Sequence, residues 1–192
     1  GRDELTVKAG LLLLSLTLSA VEMFIPRLPL LPWLKPGLAN AVTLVWLIRY
    51  GATDALLYGI LRVWTTGFFF GFSLLTFTLA LCGTTASITG MAVLWYAAGR
   101  FRLAGLTGIA VTGAIVHNLG QLAAVYLLFA RNLALLHQLP WMAVGSIVFG
   151  TLVAVVASRL LHAIEHTKPP APVGDYAPRR PGTHVWERVV SL

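Results

Sequence analysis

Residues Leu103–Phe129 read LAGLTGIAVTGAIVHNLGQLAAVYLLF, and this stretch decides the fold. It is apolar or small almost throughout and, as a helix, would run about 40 Å at 1.5 Å per residue, enough to cross a bilayer core of about 30 Å. Its one interruption is His117-Asn118-Leu119-Gly120-Gln121. Three hydrogen-bonding side chains placed where the surroundings offer no water are costly unless a partner or a ligand meets them. His117 and Gln121 are four apart and Asn118 and Gln121 three apart, so they share a broad helix face.

Composition extends that conclusion to the whole chain. Of 192 residues, 57% are hydrophobic and 11% charged, with a mean hydropathy of +0.80. A soluble domain carries about a quarter charged residues. The sequence therefore describes an integral membrane protein, and apolar stretches of helical length broken by Gly and Pro select helices over a barrel of alternating strands. The expected architecture is all-α: a polytopic bundle of six transmembrane helices over residues 1–166, followed by a disordered, Pro-rich cytoplasmic tail over 167–192. The net charge of +7 is spread over helix ends and tail, which fits topology and not nucleic acid. A lone Cys82 excludes an internal disulfide and a Cys-based zinc site. No metal or cofactor is expected. The first apolar run is long and carries Glu22 near its end, unlike a cleaved signal peptide.

In chain order, helix 1 spans about Thr6 to Phe24 and stops at Ile25-Pro26. Ser15 and Ser19 lie four apart on one of its faces, a spacing that suits close approach of another helix, inside the bundle or on a partner. Arg27–Pro36 (RLPLLPWLKP) is too rich in proline for a helix, yet apolar, and reads as a loop folded into the mouth of the bundle with Trp33 at the interface. Helix 2, from Pro36-Gly37 to Arg49, is short for a span and carries Asn40 in its first turn. Helix 3 covers about Thr53–Phe70 with Thr53 and Asp54 placed as caps. Its Arg62 lies inside the apolar segment, costs at least about 2.5 kcal/mol to insert, and should face the interior. Helix 4 covers Ser73–Ala98, and its hydroxyls at Thr84, Thr85, Ser87 and Thr89 are expected to bond back to their own helix. Helix 6 covers Pro140–His166, with Ser146 and Gly150 again four apart.

A six-helix path places Arg2, Lys8, Arg49, Arg100, Arg102, Arg159, Lys168, Arg179, Arg180 and Arg188 on one side. Arg27, Lys35 and Arg131 fall on the other. Both termini are then cytoplasmic in the cell (inner) membrane. Helix 5 enters near Leu103, so His117 stands about 21 Å along it. Glu22, Asn40, Arg62 and Lys35 converge on the same outer half. The expected site is a pocket open to the outside, with Lys35, Arg62 and His117 suited to an anionic group and Asn40, Asn118 and Gln121 fixing a polar head. The competing arrangement is a buried network in which Glu22 pairs with Arg62 or Lys35.

Glu22-Met-Phe-Ile-Pro26, Leu34-Lys35-Pro36-Gly37-Leu38-Ala39-Asn40, Gly113–Gln121 and Leu139-Pro140 together resemble the Gx transporter family, small membrane proteins also called heptaprenyl diphosphate synthase component I. The resemblance covers roughly Leu11 to Leu161. That family is similar to the substrate-binding S components of energy-coupling-factor transporters. It implies a six-helix protein that binds a small molecule from outside and docks on a separate energising module through small residues of the first helix, here Ser15 and Ser19. The other name implies an accessory partner of a soluble prenyl diphosphate synthase.

A synthase working alone needs clustered aspartates to hold magnesium against a diphosphate. Asp3, Asp54 and Asp175 are the only aspartates and none are paired, so the chain is expected not to be catalytic by itself. It also lacks a nucleotide-binding G-x-x-x-x-G-K-[ST] loop. His162-Ala-Ile-Glu165-His166 matches a metalloprotease pattern, but at the end of helix 6 with no third ligand it reads as a solvated helix terminus.

Overall fold

The structure is a computed structural model that describes residues 2–24, 37–71, 73–101, 105–129 and 131–164. The Arg27–Pro36 loop with Lys35 and Trp33, the end of the His162–His166 motif and the tail lie outside these residues. The described chain is all-helical: α1 (Arg2–Phe24), α2 (Ala39–Tyr50), α3 (Ala52–Phe70), α4 (Leu74–Phe101), α5 (Leu106–Ala124) and α6 (Leu139–Ile164). A wide π-type turn, Val125–Phe129, finishes α5, and a 3-10 turn, Leu133–Gln138, leads into α6.

The bundle is wrapped around α2. Ala41, Val42, Leu44, Val45 and Leu47 are fully buried, and these positions fall all round a helix, the pattern of an element with no solvent face. Around it α1, α3, α4 and α6 make contact, and α5 packs between α4 and α6. The outer faces of the surrounding helices expose Leu13, Leu57, Leu61, Val93, Leu119, Val144, Ile147, Val148 and Val155. Apolar surface this extensive matches a lipid solvent, not water.

Among the described residues, four segments are long and apolar enough to cross a membrane: Glu4–Glu22, Leu74–Ala97, Leu106–Phe129 and Leu133–Ile164. The six expected spans are thus reduced to four that qualify by length and composition. At 12 residues, α2 reaches only about 18 Å. α3 carries both Asp54 and Arg62.

Local corrections have physical causes. Neither Thr53 nor Asp54 caps α3; Gly51 occupies the cap without a side-chain bond, and its φ of 95° makes the tight turn from α2. Asp54 instead accepts a hydrogen bond from Lys8 Nζ at 3.3 Å, and Lys8 also pairs with Glu4 at 3.0 Å and lies over the Tyr50 ring. This cluster ties α1 to α3. Arg49 Nη1 donates to the Ile164 carbonyl at 3.2 Å, satisfying an acceptor at the end of α6 and placing positive charge where the helix dipole favours it.

Close helix approach rests on absent side chains. A Cβ on Gly150 would stand 2.6 Å from the Val111 Cα, so α6 meets the backbone of α5 directly. Gly150→Ala should destabilise the purified protein by about 1–3 kcal/mol in detergent thermal unfolding. Gly10→Ala, which meets nothing within 4 Å, should leave the midpoint unchanged or raise it.

Candidate functional site

Beyond the N-terminal end of α2 no central helix continues among the described residues, and a cavity of about 450 Å³ lies there. Residues from all six helices line it. Glu22, Asn40, Arg62, His117, Asn118 and Gln121, scattered over a hundred residues of sequence, all face this one cavity. Lys35 lies outside the described residues.

Arg62 is the centre of the arrangement. Its residue is only 7% exposed, and Nη2 donates to Asn40 Oδ1 at 3.3 Å and to Thr84 Oγ1 at 3.2 Å. Both acceptors are neutral. Arg62 Nε has no hydrogen-bond partner among the described residues, and a buried donor left in that state is costly.

Glu22 has a distinct position. One carboxylate oxygen accepts the backbone N–H of Leu38, so α1 closes the start of α2 with a negative charge at the positive end of its dipole. The first turn is tight, with Asn40 N–H bonded to the Gly37 carbonyl and Ala41 N–H to that of Leu38.

α4 and α5 set the level of the polar belt. A Cβ on Gly83 would come within 2.8 Å of His117 Nε2 and 2.9 Å of Gln121 Cγ. Only the missing side chain lets His117 and Gln121 enter the cavity beside Thr84. His117 Nδ1 is buried with no partner among the described residues, as is the Ser87 hydroxyl one turn from Thr84. Asn118 is engaged differently: its Nδ2 donates to Ser146 Oγ at 2.9 Å, and that hydroxyl donates to the Met142 carbonyl at 2.7 Å. This chain fastens α5 to α6.

One sequence expectation changes here. Thr85 and Thr89 bond back to their own helix as expected, to Leu81 and Thr85 carbonyls, but Thr84 accepts from Arg62 and Ser87 faces the cavity. Their three-residue spacing, on the helix face opposite Thr85, is the signal that distinguishes them. Ser15 and Ser19 also face inward. Ser15 is fully buried, with its hydroxyl bonded to the Leu12 carbonyl at 2.8 Å, and Ser19 lines the cavity, so both take part in packing inside the bundle, one of the two placements their spacing allows.

Fold and site together define an all-helical membrane protein with an internal polar cavity. The chain belongs to the heptaprenyl diphosphate synthase component I family, whose model matches residues 11–160. No curated protein and no solved structure matches it.

Replacing Thr84 by Val removes one of the two acceptors that hold Arg62 while keeping the shape. Thr84→Val should cost about 1–3 kcal/mol of stability, measured as a lowered thermal midpoint, whereas Thr89→Val, on the exposed face, should change it little.

Proposed function

We propose that this chain is a membrane-embedded binding protein, of the kind the S-component resemblance implies, that receives a small molecule with a polar or anionic head in the cavity. Arg62 is the observation that carries this. A guanidinium held beside an open space by two neutral acceptors, with Nε still unpartnered, supplies positive charge that an incoming anion would satisfy. The start of α2 adds the positive end of a helix dipole. Asn40, His117 and Gln121 offer both donors and acceptors around it.

In this arrangement all six helices are embedded in the bilayer, α2 as a buried half-length element. Both termini are cytoplasmic, which puts the basic end around Arg49 and Arg159 inside and opens the cavity toward the outer side. Energy for uptake would come from a separate module.

The family's description favours a second reading, a non-catalytic membrane subunit that works with a soluble, aspartate-rich prenyl diphosphate synthase. Co-purification with that enzyme in mild detergent, together with a changed product chain length, would support it. A synthase that neither co-purifies nor changes its product would remove it.

For the binding site, native mass spectrometry of the purified protein should show a retained small molecule. Arg62→Gln should weaken retention roughly 10- to 100-fold, the worth of about 1.5–3 kcal/mol for hydrogen bonds to a charged group. His117→Ala should also lose it at unchanged folding, and Asn40→Ala should lose it with a thermal midpoint lowered as in Thr84→Val. Equal retention in all three variants would rule the site out.

A further inference from the structure

The cavity is not a rounded chamber. Along α4 it is lined by Ser73, Thr76, Phe77, Ala80, Thr84, Ser87 and Met91, a stripe at helical spacing that extends about 27 Å. The polar belt of Arg62, Thr84 and His117 occupies the middle of that length.

Beyond the belt the walls change. Gln121 of α5 lies against Gly83, and past that level α4 continues to line the cavity with Ala80, Phe77 and Ser73 while α5 contributes nothing further. α3 follows α4, supplying Val63, Gly67 and Phe70 at intervals of four and three. This part is therefore a groove on the inner face of the α3–α4 hairpin. Its floor is mainly apolar, with Val63, Gly67, Phe70, Phe77 and Ala80; Thr66, Ser73 and Thr76 also line it, and Thr76 turns its hydroxyl back to the Ser73 carbonyl at 3.1 Å. The hairpin around it is exposed and strongly apolar: Phe68 is 84% exposed and Phe69 70%, with Trp64, Leu74 and Leu75 also on the surface. Trp64 and Phe77 hold the two helices together by an edge-on contact at 4.9 Å.

A polar pocket that continues into an apolar groove, itself flanked by a lipid-facing hairpin, matches a molecule with the same two parts. The geometry points to an amphiphile as the ligand: an anionic head at Arg62 and a single apolar chain lying in the α3–α4 groove, reaching the site from the bilayer and not from water. This rests on the proposal that the polar belt takes an anionic head, and adds to it the chain, its location and its route. A small hydrophilic anion would leave Phe70, Phe77 and Val63 facing nothing it could bind. An amphiphile buries its methylenes against them.

The test uses the full chain in phosphatidylcholine nanodiscs, with ethyl phosphate and decyl phosphate as probes and empty nanodiscs subtracted. Decyl phosphate should bind saturably and at least roughly tenfold tighter than ethyl phosphate, the gain from burying as few as two methylenes. A decyl phosphate carrying a terminal diazirine should crosslink to the segment Val63–Ala80. Gly67→Trp, which fills the groove, should remove the advantage of the long chain and leave ethyl phosphate binding intact; Arg62→Gln should weaken both probes.

Equal affinity for the two probes, full decyl phosphate binding in Gly67→Trp, or crosslinks confined to Met91 and Val153 at the opposite end would each overturn the amphiphile. If ethyl phosphate still depends on Arg62, the anionic-head site survives that result. Binding of neither probe, or binding indifferent to Arg62→Gln, would overturn both. The chain-length comparison and the crosslink need no substitution, so a poorly folding variant does not block the test.

Discussion

A central helix only 12 residues long is the constraint on which the structure depends. About 18 Å of helix stands beside neighbours of 19 to 28 residues, so among the described residues the surrounding helices enclose α2 over part of their length and a cavity over the rest. In the enclosed part, the all-round apolar surface of α2 supplies the core. Where it ends, the bundle must solve two problems: the unsatisfied N–H groups of a helix start, and an empty interior.

Glu22 answers the first by accepting the Leu38 N–H. That contact fixes the end of α1 over the start of α2 and leaves Asn40, in the first turn, beside Arg62. The guanidinium is then held from two sides, by α2 through Asn40 and by α4 through Thr84. Three helices are locked around one buried charge. Such a charge is weak evidence for stability, since burial costs more than neutral acceptors return. Its Nε is left without a partner among the described residues, beside the cavity.

The glycines give the rest of the belt its reach. Gly83 admits His117 and Gln121, and Gly150 brings α6 against α5 so that Ser146 meets Asn118. The five-residue polar interruption of α5 therefore divides its labour. Asn118 fastens helices, whereas His117 and Gln121 face the open space. Past this level the α3–α4 hairpin carries exposed aromatic side chains on its outer face and lines the cavity with Val63, Phe70, Phe77 and Ala80.

Much of this was legible in the residues. Hydropathy and helical length identified a helical membrane protein, Pro and Gly placed the helix breaks within a few residues, and isolated polar side chains in apolar runs pointed to Glu22, Asn40, Arg62, His117, Asn118 and Gln121. That inference works because a bilayer penalises each such group individually, so its mere presence is informative. The inward turn of Thr84 and Ser87 showed only in their three-residue spacing, and the spacing of Ser15 and Ser19 allowed contact inside the bundle or on a partner. A hydroxyl can satisfy itself on its own helix, and a small residue suits any close contact, so neither type reveals which neighbour it meets. Asp54 failed for the same reason: its partner, Lys8, is remote in sequence. The amino-acid order determined which groups are costly to bury. The packing of the other helices around the short α2, in a register set by Gly83, Gly150 and the start of α2, decided which of those groups meet one another and which are left facing an open cavity.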